Sequence, residues 1–228
     1  MNLLKNYLIM GYMLVPVFSS EIPSPLPPPL NIKWVSQDQE DRKSFLHNYE
    51  LATRSHNADA QFNLGYYYDE GCIVACNLEQ AIYWYTLAAI NGSSNAQFNL
   101  AQCYMIGRGV RPSVSQAACL FKLATEAGDL EASYRYANLL LMGEKVGVAK
   151  DEAEGLRLLR EASSKGHAEA QNRLGLYLIR KGPETLNEGM EWLRQAAKNG
   201  AIWAEYNLKK LADESSDQAA KDIKEATP

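Results

Sequence analysis

A pattern that recurs every 36 residues constrains the fold of this chain more than any other feature of its sequence. The segment 57–92 aligns with the segment 93–128, and a longer copy (129–166) and a shorter copy (167–200) follow. Identical or similar residues of the first two copies fall on one another at Ala60/Ala96, Leu64/Leu100, Gly71/Gly107, Ala81/Ala117, Tyr85/Phe121, Ala88/Ala124 and Gly92/Gly128. A period of this length is typical of proteins that stack one small supersecondary unit many times.

Each copy has the sequence pattern of two amphipathic helices. Apolar residues follow i, i+4, i+7 and i+8 spacing in the first half of a copy, as at Ala60, Leu64, Tyr67 and Tyr68, and the second half has its own apolar face, at Ala81, Trp84, Tyr85 and Ala88. Residues that cap helix N-termini precede the second helix of each copy: Asn77, Ser113, Asp151 and Thr185. A glutamine or glutamate follows three residues later, which completes capping-box patterns: Gln80, Gln116, Glu154 and Glu188.

Glycines and other small residues mark the helix ends and the close contacts. Four glycines are predicted to end the second helices in the left-handed conformation: Gly92, Gly128, Gly166 and Gly200. Small residues share one position of the first helices, where neighbouring helices must approach closely: Gly65, Ala101, Ala137 and Gly175. Partial copies flank the four full ones, and together they predict a domain over residues 36–212.

These copies resemble the Sel1-like repeat, a relative of the tetratricopeptide repeat. The resemblance rests on phrases such as AQFNLGYYYDEG (60–71), GRGVRPSVSQA (107–117) and GVAKDEAEG (147–155). It implies an all-α fold, a right-handed superhelix of about four full repeats plus flanking half-repeats. It also implies a scaffold or adaptor that binds other proteins or peptide segments, with no cofactor and no catalysis. The first loop (72–73), the short fourth loop (182–184) and Lys209 depart from the family pattern.

The two ends of the chain differ in composition from the repeats. Residues 1–20 have an apolar stretch (7–18) behind Lys5, which fits an export signal and is shorter than the ~20 residues that cross a bilayer as a helix. An uncleaved anchor or a buried helix are the alternatives. Export predicts a periplasmic or secreted protein that meets a membrane only during export. The linker 21–35 contains a proline-rich segment (21–30), either a stiff spacer or a ligand for a proline-reading groove. The polar tail 213–228 indicates a frayed helix or a disordered end.

Several classes of function lack the residues that they need. The net charge is -4 and no basic stripe is present, so we expect no nucleic-acid partner. The histidines His47, His56 and His167 are scattered, without metal-ligand spacing, and the latter two fall at predicted surface turns. No nucleophile elbow occurs. We therefore predict that the chain is not an enzyme and holds no metal.

The four cysteines leave disulfide pairing open. Cys72 and Cys76 lie close together in the first loop and are the better candidates, while Cys103 and Cys119 are the weaker pair. A branch of the Sel1-like family with a cysteine pair in every repeat is linked to peptidoglycan or β-lactam binding, and this chain lacks that regularity. A peptidoglycan- or β-lactam-binding protein, a secreted host-interaction factor and an adaptor of the endoplasmic reticulum lumen are the alternatives to a bacterial envelope adaptor.

Candidate partner-binding residues lie on the first helix of each repeat, because in helical-pair solenoids these helices line the concave face. One row faces away from the core: Phe62, Tyr66, Phe98, Gln102, Tyr134, Asn138, Asn172 and Tyr206. A second row runs beside it: Asn63, Asn99, Arg135, Arg173 and Asn207. Aromatic rings supply apolar contact area, amides can hydrogen-bond to a peptide backbone, and arginines can pair with a carboxylate. Packing between adjacent repeats is the alternative. Since Arg135 and Arg173 interrupt a run of asparagines, we expect them to make the partner-specific contacts.

Overall fold

Helices in the computed structural model follow the two-helix pattern of each copy over residues 32–213, the part of the chain that the structure describes. They are α1 (Gln39–Arg54), α2 (Ala58–Glu70), α3 (Leu78–Ile90), α4 (Ser94–Ile106), α5 (Val114–Glu126), α6 (Leu130–Met142), α7 (Glu152–Ser164), α8 (Ala168–Lys181) and α9 (Leu186–Lys198). Helical backbone also covers residues 204–213, and short 3-10 turns occupy Gly143–Val146 and Pro183–Thr185. The predicted all-α fold class is confirmed.

The described chain divides into two compact units. The first unit ends at Ala132 and also holds Glu144–Val148, whereas the second holds Ser133–Gly143 and continues from Ala149. In the first unit, each helix from α1 to α5 packs against the next. In the second, α8 packs against both α7 and α9. Leucine side chains fill the core of the second unit, while aromatic rings contribute much of the first: Phe45, Trp84, Tyr85, Tyr104 and Phe121.

The predicted caps are present on three of the four second helices. The side chains of Asn77, Ser113 and Asp151 accept hydrogen bonds from backbone N–H groups three residues later, at 3.1, 3.4 and 3.0 Å. The prediction for Thr185 was wrong, because its hydroxyl donates to the Leu178 carbonyl at 2.6 Å and makes no cap. A 3-10 turn leads directly into α9 and leaves this hydroxyl facing back toward α8. The four helix-ending glycines adopt the predicted left-handed conformation, with φ of 90, 92, 88 and 86°.

Two glycines of the first helices stand where another helix leaves no room for a side chain. A Cβ added to Gly65 would lie 2.5 Å from a ring carbon of Tyr85. A Cβ added to Gly175 would lie 2.8 Å from the backbone oxygen of Gly189, which cannot rotate away. These two small-residue positions therefore set the spacing of the paired helices in the first and fourth repeats.

Buried glutamines, which the sequence reading did not single out, bond to the ends of second helices. Gln61, Gln97 and Gln171 each donate Nε2 to a carbonyl near the end of the preceding helix, at Ala52, Ala89 and Ser163. Asparagine side chains donate to the Oε1 of two of them, from Asn91 to Gln61 (2.8 Å) and from Asn199 to Gln171 (2.9 Å). Gln97 Oε1 is buried without a partner among the described residues. Ala127 occupies the equivalent of Asn91 and offers no donor.

A short strap before α1 is bonded to the loop of the first repeat. The N–H of Val35 donates to the Ile73 carbonyl at 2.9 Å, and Trp34 forms an isolated antiparallel bridge with Val74. The Trp34 ring meets the buried ring of Phe45 edge to face, with centroids 5.6 Å apart. Residues 33–35, which the sequence placed in the linker, are thus fastened to the first unit.

Three predicted segments lie wholly or almost wholly outside the described residues: the export signal 1–20, the proline-rich segment 21–30 and the tail beyond 213. Within residues 32–213, no helix combines the length and apolar character that crossing a membrane requires.

Candidate functional site

The predicted aromatic row is largely engaged in packing within the first unit. Phe62 is half-buried and lies 5.9 Å from the Tyr85 ring, centroid to centroid. Phe98 is also half-buried and lies 5.6 Å from the buried ring of Phe121. Both rings therefore rest on the second helix of their own repeat. Tyr66 remains 44% exposed and Gln102 is exposed, so these two residues are available at the surface of the first unit.

The predicted amides of the first unit have partners inside it. Asn63 Nδ2 donates to the Asn48 side-chain oxygen at 3.0 Å, and Asn99 Nδ2 donates to the Tyr85 hydroxyl at 3.3 Å. That hydroxyl in turn donates to Asp69 Oδ2 at 3.4 Å. Burial raises the pKa of Tyr85 well above its ordinary value, so the hydroxyl stays protonated as a donor. These amides thus hold neighbouring helices together.

An ion pair fixes the second inter-helix loop to the end of α2. Arg108 Nε donates to Asp69 Oδ1 at 2.6 Å, and a second guanidinium nitrogen donates to the Asp69 carbonyl at 2.9 Å. Asp69 is 13% exposed as a side chain, whereas Arg108 is 42% exposed. Beside this pair, burial raises the pKa of the Cys103 thiol to about 12, which keeps it in the unreactive neutral form.

The second unit combines an arginine, a tyrosine and a histidine in one stack. Arg135 is exposed and its guanidinium lies 5.7 Å from the centroid of the Tyr134 ring, within cation–π range. On α8, the His167 ring stacks on Tyr134 with centroids 5.4 Å apart and planes 29° apart. His167 is half-buried and its Nδ1 accepts the Ala170 N–H at 3.1 Å. His167 thus lies at the predicted turn between α7 and α8, where it is half-buried and caps α8.

Arg173 differs from the asparagines of its row, Asn63, Asn99 and Asn207, because each of those has a side-chain partner. It is half-buried, and it makes no hydrogen bond or ion pair with any described residue. Its neighbour Asn172 is buried and accepts from Asn207 Nδ2 at 2.9 Å. Tyr206, one residue before Asn207, is 58% exposed. Among the described residues of the second unit, Arg173 thus has a guanidinium without a polar partner.

Asn138 of the same predicted site turns back to its own helix. Its Nδ2 donates to the Tyr134 carbonyl at 3.0 Å, one helical turn earlier. This bond leaves the amide oxygen as the group that a partner could use. The side chain of Asn138 therefore bonds within α6 and offers a partner only its amide oxygen.

All four cysteines are free thiols in the structure. Cys72, Cys76 and Cys119 are exposed and Cys103 is buried. Cys76 Sγ donates to the Asp69 carbonyl at 3.5 Å. Both proposed disulfides stay predictions. Over residues 32–213, no group of three or more metal-ligating side chains is assembled.

The Sel1 repeat family model matches four consecutive segments of the chain: residues 58–93, 94–129, 130–167 and 168–200. The chain belongs to the Sel1 repeat family. The match confirms the resemblance drawn from the sequence, with boundaries offset by one residue from the copies that we aligned. Sel1 repeat proteins generally mediate contacts between proteins and are typically non-catalytic. The expectation of a family that mediates contacts between proteins is confirmed in that general form.

Two solved Sel1-type structures share the fold. One is c5321, a protective antigen of uropathogenic Escherichia coli that displays an SLR fold. It is 27% identical, with a TM-score of 0.65 over 73% of this chain and 36% of its own. The other is a Sel1 repeat protein from Oxalobacter formigenes, 25% identical, with a TM-score of 0.62 over 75% of this chain and 74% of its own.

A curated relative matches a shorter stretch. An F-box protein of Arabidopsis thaliana is 40% identical over 53 residues, which are 23% of this chain and 15% of the plant protein. The chain therefore spans only a small part of that relative, and about a third of c5321.

Proposed function

We propose that this Sel1 repeat protein is an adaptor without catalytic activity, which holds an acidic segment of another protein against the first helices of its second unit. The observation that carries the proposal is Arg173, a half-buried residue whose guanidinium makes no hydrogen bond or ion pair with a described residue. A guanidinium offers a planar fork of donors that matches a carboxylate, and a desolvated one gains most from that pairing.

The surroundings of Arg173 supply the other contacts that an extended peptide needs. The exposed ring of Tyr206 offers apolar area next to a polar edge. One hydrogen bond joins the side chains of Asn172 and Asn207. The Asn207 side-chain oxygen is not used in that bond and can accept from a peptide backbone. Arg135 adds a second positive charge on α6, held in place over the Tyr134 ring. By contrast, the equivalent Asn63 and Asn99 of the first unit already have partners.

A capture experiment with charge-matched variants tests the adaptor proposal. One variant carries Arg135→Ala and Arg173→Ala. The control carries Arg157→Ala and Arg194→Ala, two exposed arginines of the second helices that pair with glutamates of their own helix. We expect chemical crosslinking in cells to capture the same proteins with wild type and control, and to lose them with the first variant.

Both variants should keep wild-type helicity by circular dichroism, because all four side chains are half-buried or exposed. Equal capture by the two variants would overturn the arginine site. Absence of any captured protein with folded wild type would contradict the adaptor function itself.

We also propose that the chain is exported to the periplasm or beyond the cell. Support comes from the sequence of residues 1–20 alone, with its apolar stretch of signal-peptide length. Mass spectrometry of the protein recovered from periplasm or medium should show an N-terminus near residue 20. Recovery of the full-length chain from the cytoplasm only would contradict export.

A further inference from the structure

An exposed apolar patch marks the first turn of the helical segment 204–213. Ile202 is 81% exposed, Trp203 is 61% exposed and Tyr206 is 58% exposed. The rings of Trp203 and Tyr206 meet edge to face, with centroids 6.1 Å apart. A hydrogen bond to α8 fixes this turn, because the Glu169 carboxylate accepts a hydrogen bond from the backbone N–H of Ile202 at 3.2 Å. The three side chains are therefore presented together on an ordered backbone.

The repeat itself does not require an aromatic residue at this place. The positions equivalent to Trp203 in the four full copies are polar: Asp59, Asn95, Glu131 and Glu169. A tryptophan that packed within the domain would be buried, since a large apolar side chain gains ~1.5–3 kcal/mol from full burial. A cluster of large apolar side chains held in water is a common mark of a docking surface.

The chain contains a segment whose chemistry fits this patch. Residues 21–30 read EIPSPLPPPL, with one charged residue among ten. Such a sequence favours the polyproline II helix, in which every third residue shares a face and the backbone bears no internal hydrogen bonds. One face then holds Pro23, Leu26 and Pro29, all apolar. Exposed tryptophan and tyrosine rings are the usual platform for this helix, because the rigid ligand loses little entropy on docking.

Residues 33–35, which follow this segment in the chain, are held at a fixed place on the first unit. This strap is fastened to the first unit through Trp34 and through the Val35–Ile73 hydrogen bond. The proline-rich segment is therefore tethered to an ordered unit. Every copy of the protein that retains the segment carries both the segment and the patch.

We propose that the proline-rich segment 21–30 of one molecule docks on the Ile202–Trp203–Tyr206 patch of a second copy. The contact goes beyond the adaptor function: it shares Tyr206 with the proposed partner site but centres on Ile202 and Trp203, which that site does not use. It is heterologous, because the segment and the patch are different surfaces, so it joins copies head to tail into rings or open chains. Association then brings several partner-binding faces into one assembly.

A synthetic peptide of residues 21–30 tests the docking directly. Calorimetric titration into the purified wild type should give saturable binding, and Trp203→Ala should weaken it about tenfold or more. The variant Leu46→Ala, which removes another exposed apolar side chain from a different place, should bind as wild type does. A peptide with all five prolines replaced by alanine should not bind. Equal binding by wild type and Trp203→Ala, or no binding by wild type, would overturn the proposal.

Sedimentation velocity tests whether a second copy of the protein supplies the segment that docks on the patch. Protein shown by mass spectrometry to retain residues 21–30 should associate as its concentration rises. Addition of the free peptide should dissociate the assembly, and the Trp203→Ala variant should not assemble. Wild type that binds the peptide but stays monomeric at every concentration would overturn the second copy as occupant. Neither result bears on capture through Arg135 and Arg173, so the two proposals fail separately.

Discussion

At the scale of the residue, hydrogen-bond satisfaction distinguishes repeats that look alike in sequence. The buried Gln61 and Gln171 use both ends of their amides, whereas Gln97 leaves Oε1 without a partner among the described residues. The difference traces to one position, since Ala127 stands where the other two copies have asparagine. A buried acceptor without a donor costs about 1–3 kcal/mol. The second repeat therefore lacks the glutamine–asparagine bond that the first and fourth repeats make.

Supplying the missing donor should stabilise the protein. We expect Ala127→Asn to raise the free energy of unfolding by ~1 kcal/mol, because the new Nδ2 reaches Gln97 Oε1 as Asn91 reaches Gln61. Urea denaturation followed by circular dichroism measures the change. Ala127→Asp is the matched control, since it has the same shape and no N–H to donate. If the two variants have the same stability, the explanation through Gln97 is wrong.

Burial also determines which thiol of the chain is reactive. The pKa of Cys103 is raised to about 12 because burial disfavours the thiolate. The folded state therefore favours the neutral thiol, and this contribution to stability persists below the ordinary thiol pKa and is lost as pH rises toward 12. In reduced native protein at about pH 8, we expect iodoacetamide to modify the exposed Cys72 and Cys76 and to spare Cys103. Peptide mapping measures this, and urea should abolish the protection. Native Cys103 that reacts as fast as Cys72 would contradict the burial argument.

At the scale of the element, the sequence predicted helix ends better than it predicted loops. Helix caps and left-handed glycines depend on residues nearby in the sequence. The capping roles of Asn77, Ser113 and Asp151 could therefore be predicted from the few residues that follow each of them. Thr185 could not, because the shortened loop before it forms a 3-10 turn whose geometry the repeat pattern does not contain. The strap at Trp34 was missed for the same reason, since its bonds to Ile73 join segments far apart in sequence.

Helix spacing in the second unit should depend on the absence of a side chain at Gly175. In an unconstrained helix, alanine would be more stable than glycine by ~1 kcal/mol. Here the added methyl would meet the Gly189 carbonyl at 2.8 Å, so we expect Gly175→Ala to destabilise the protein by ~1–3 kcal/mol. Thermal unfolding measures the change, and the exposed Ala153→Gly calibrates helix propensity in the same protein. A higher melting temperature for Gly175→Ala would show that the two helices are not in contact there.

At the scale of the whole molecule, the repeat predicted the fold class and the family but only part of the candidate site. Periodicity identifies which residues share a helix face, and that is sufficient for the fold. It does not tell which polar side chain a neighbouring helix satisfies. Asn63 and Asn99 were grouped with Arg173, yet the first two have partners within the first unit and Arg173 has none among the described residues. The stack of His167 on Tyr134 likewise depends on packing between consecutive repeats.

Site-specific photo-crosslinking tests most directly whether the protein works by holding a partner on the first helices of its second unit. A benzophenone amino acid replaces Tyr206, which lies beside the Arg173 row, or Arg194, an exposed residue of the second helix α9. On irradiation in cells, we predict a partner adduct from position 206 that disappears when Arg173→Ala is added, and none from position 194. Adducts from position 194 alone, or an adduct with a different protein at position 206 that Arg173→Ala leaves unchanged, would contradict the account.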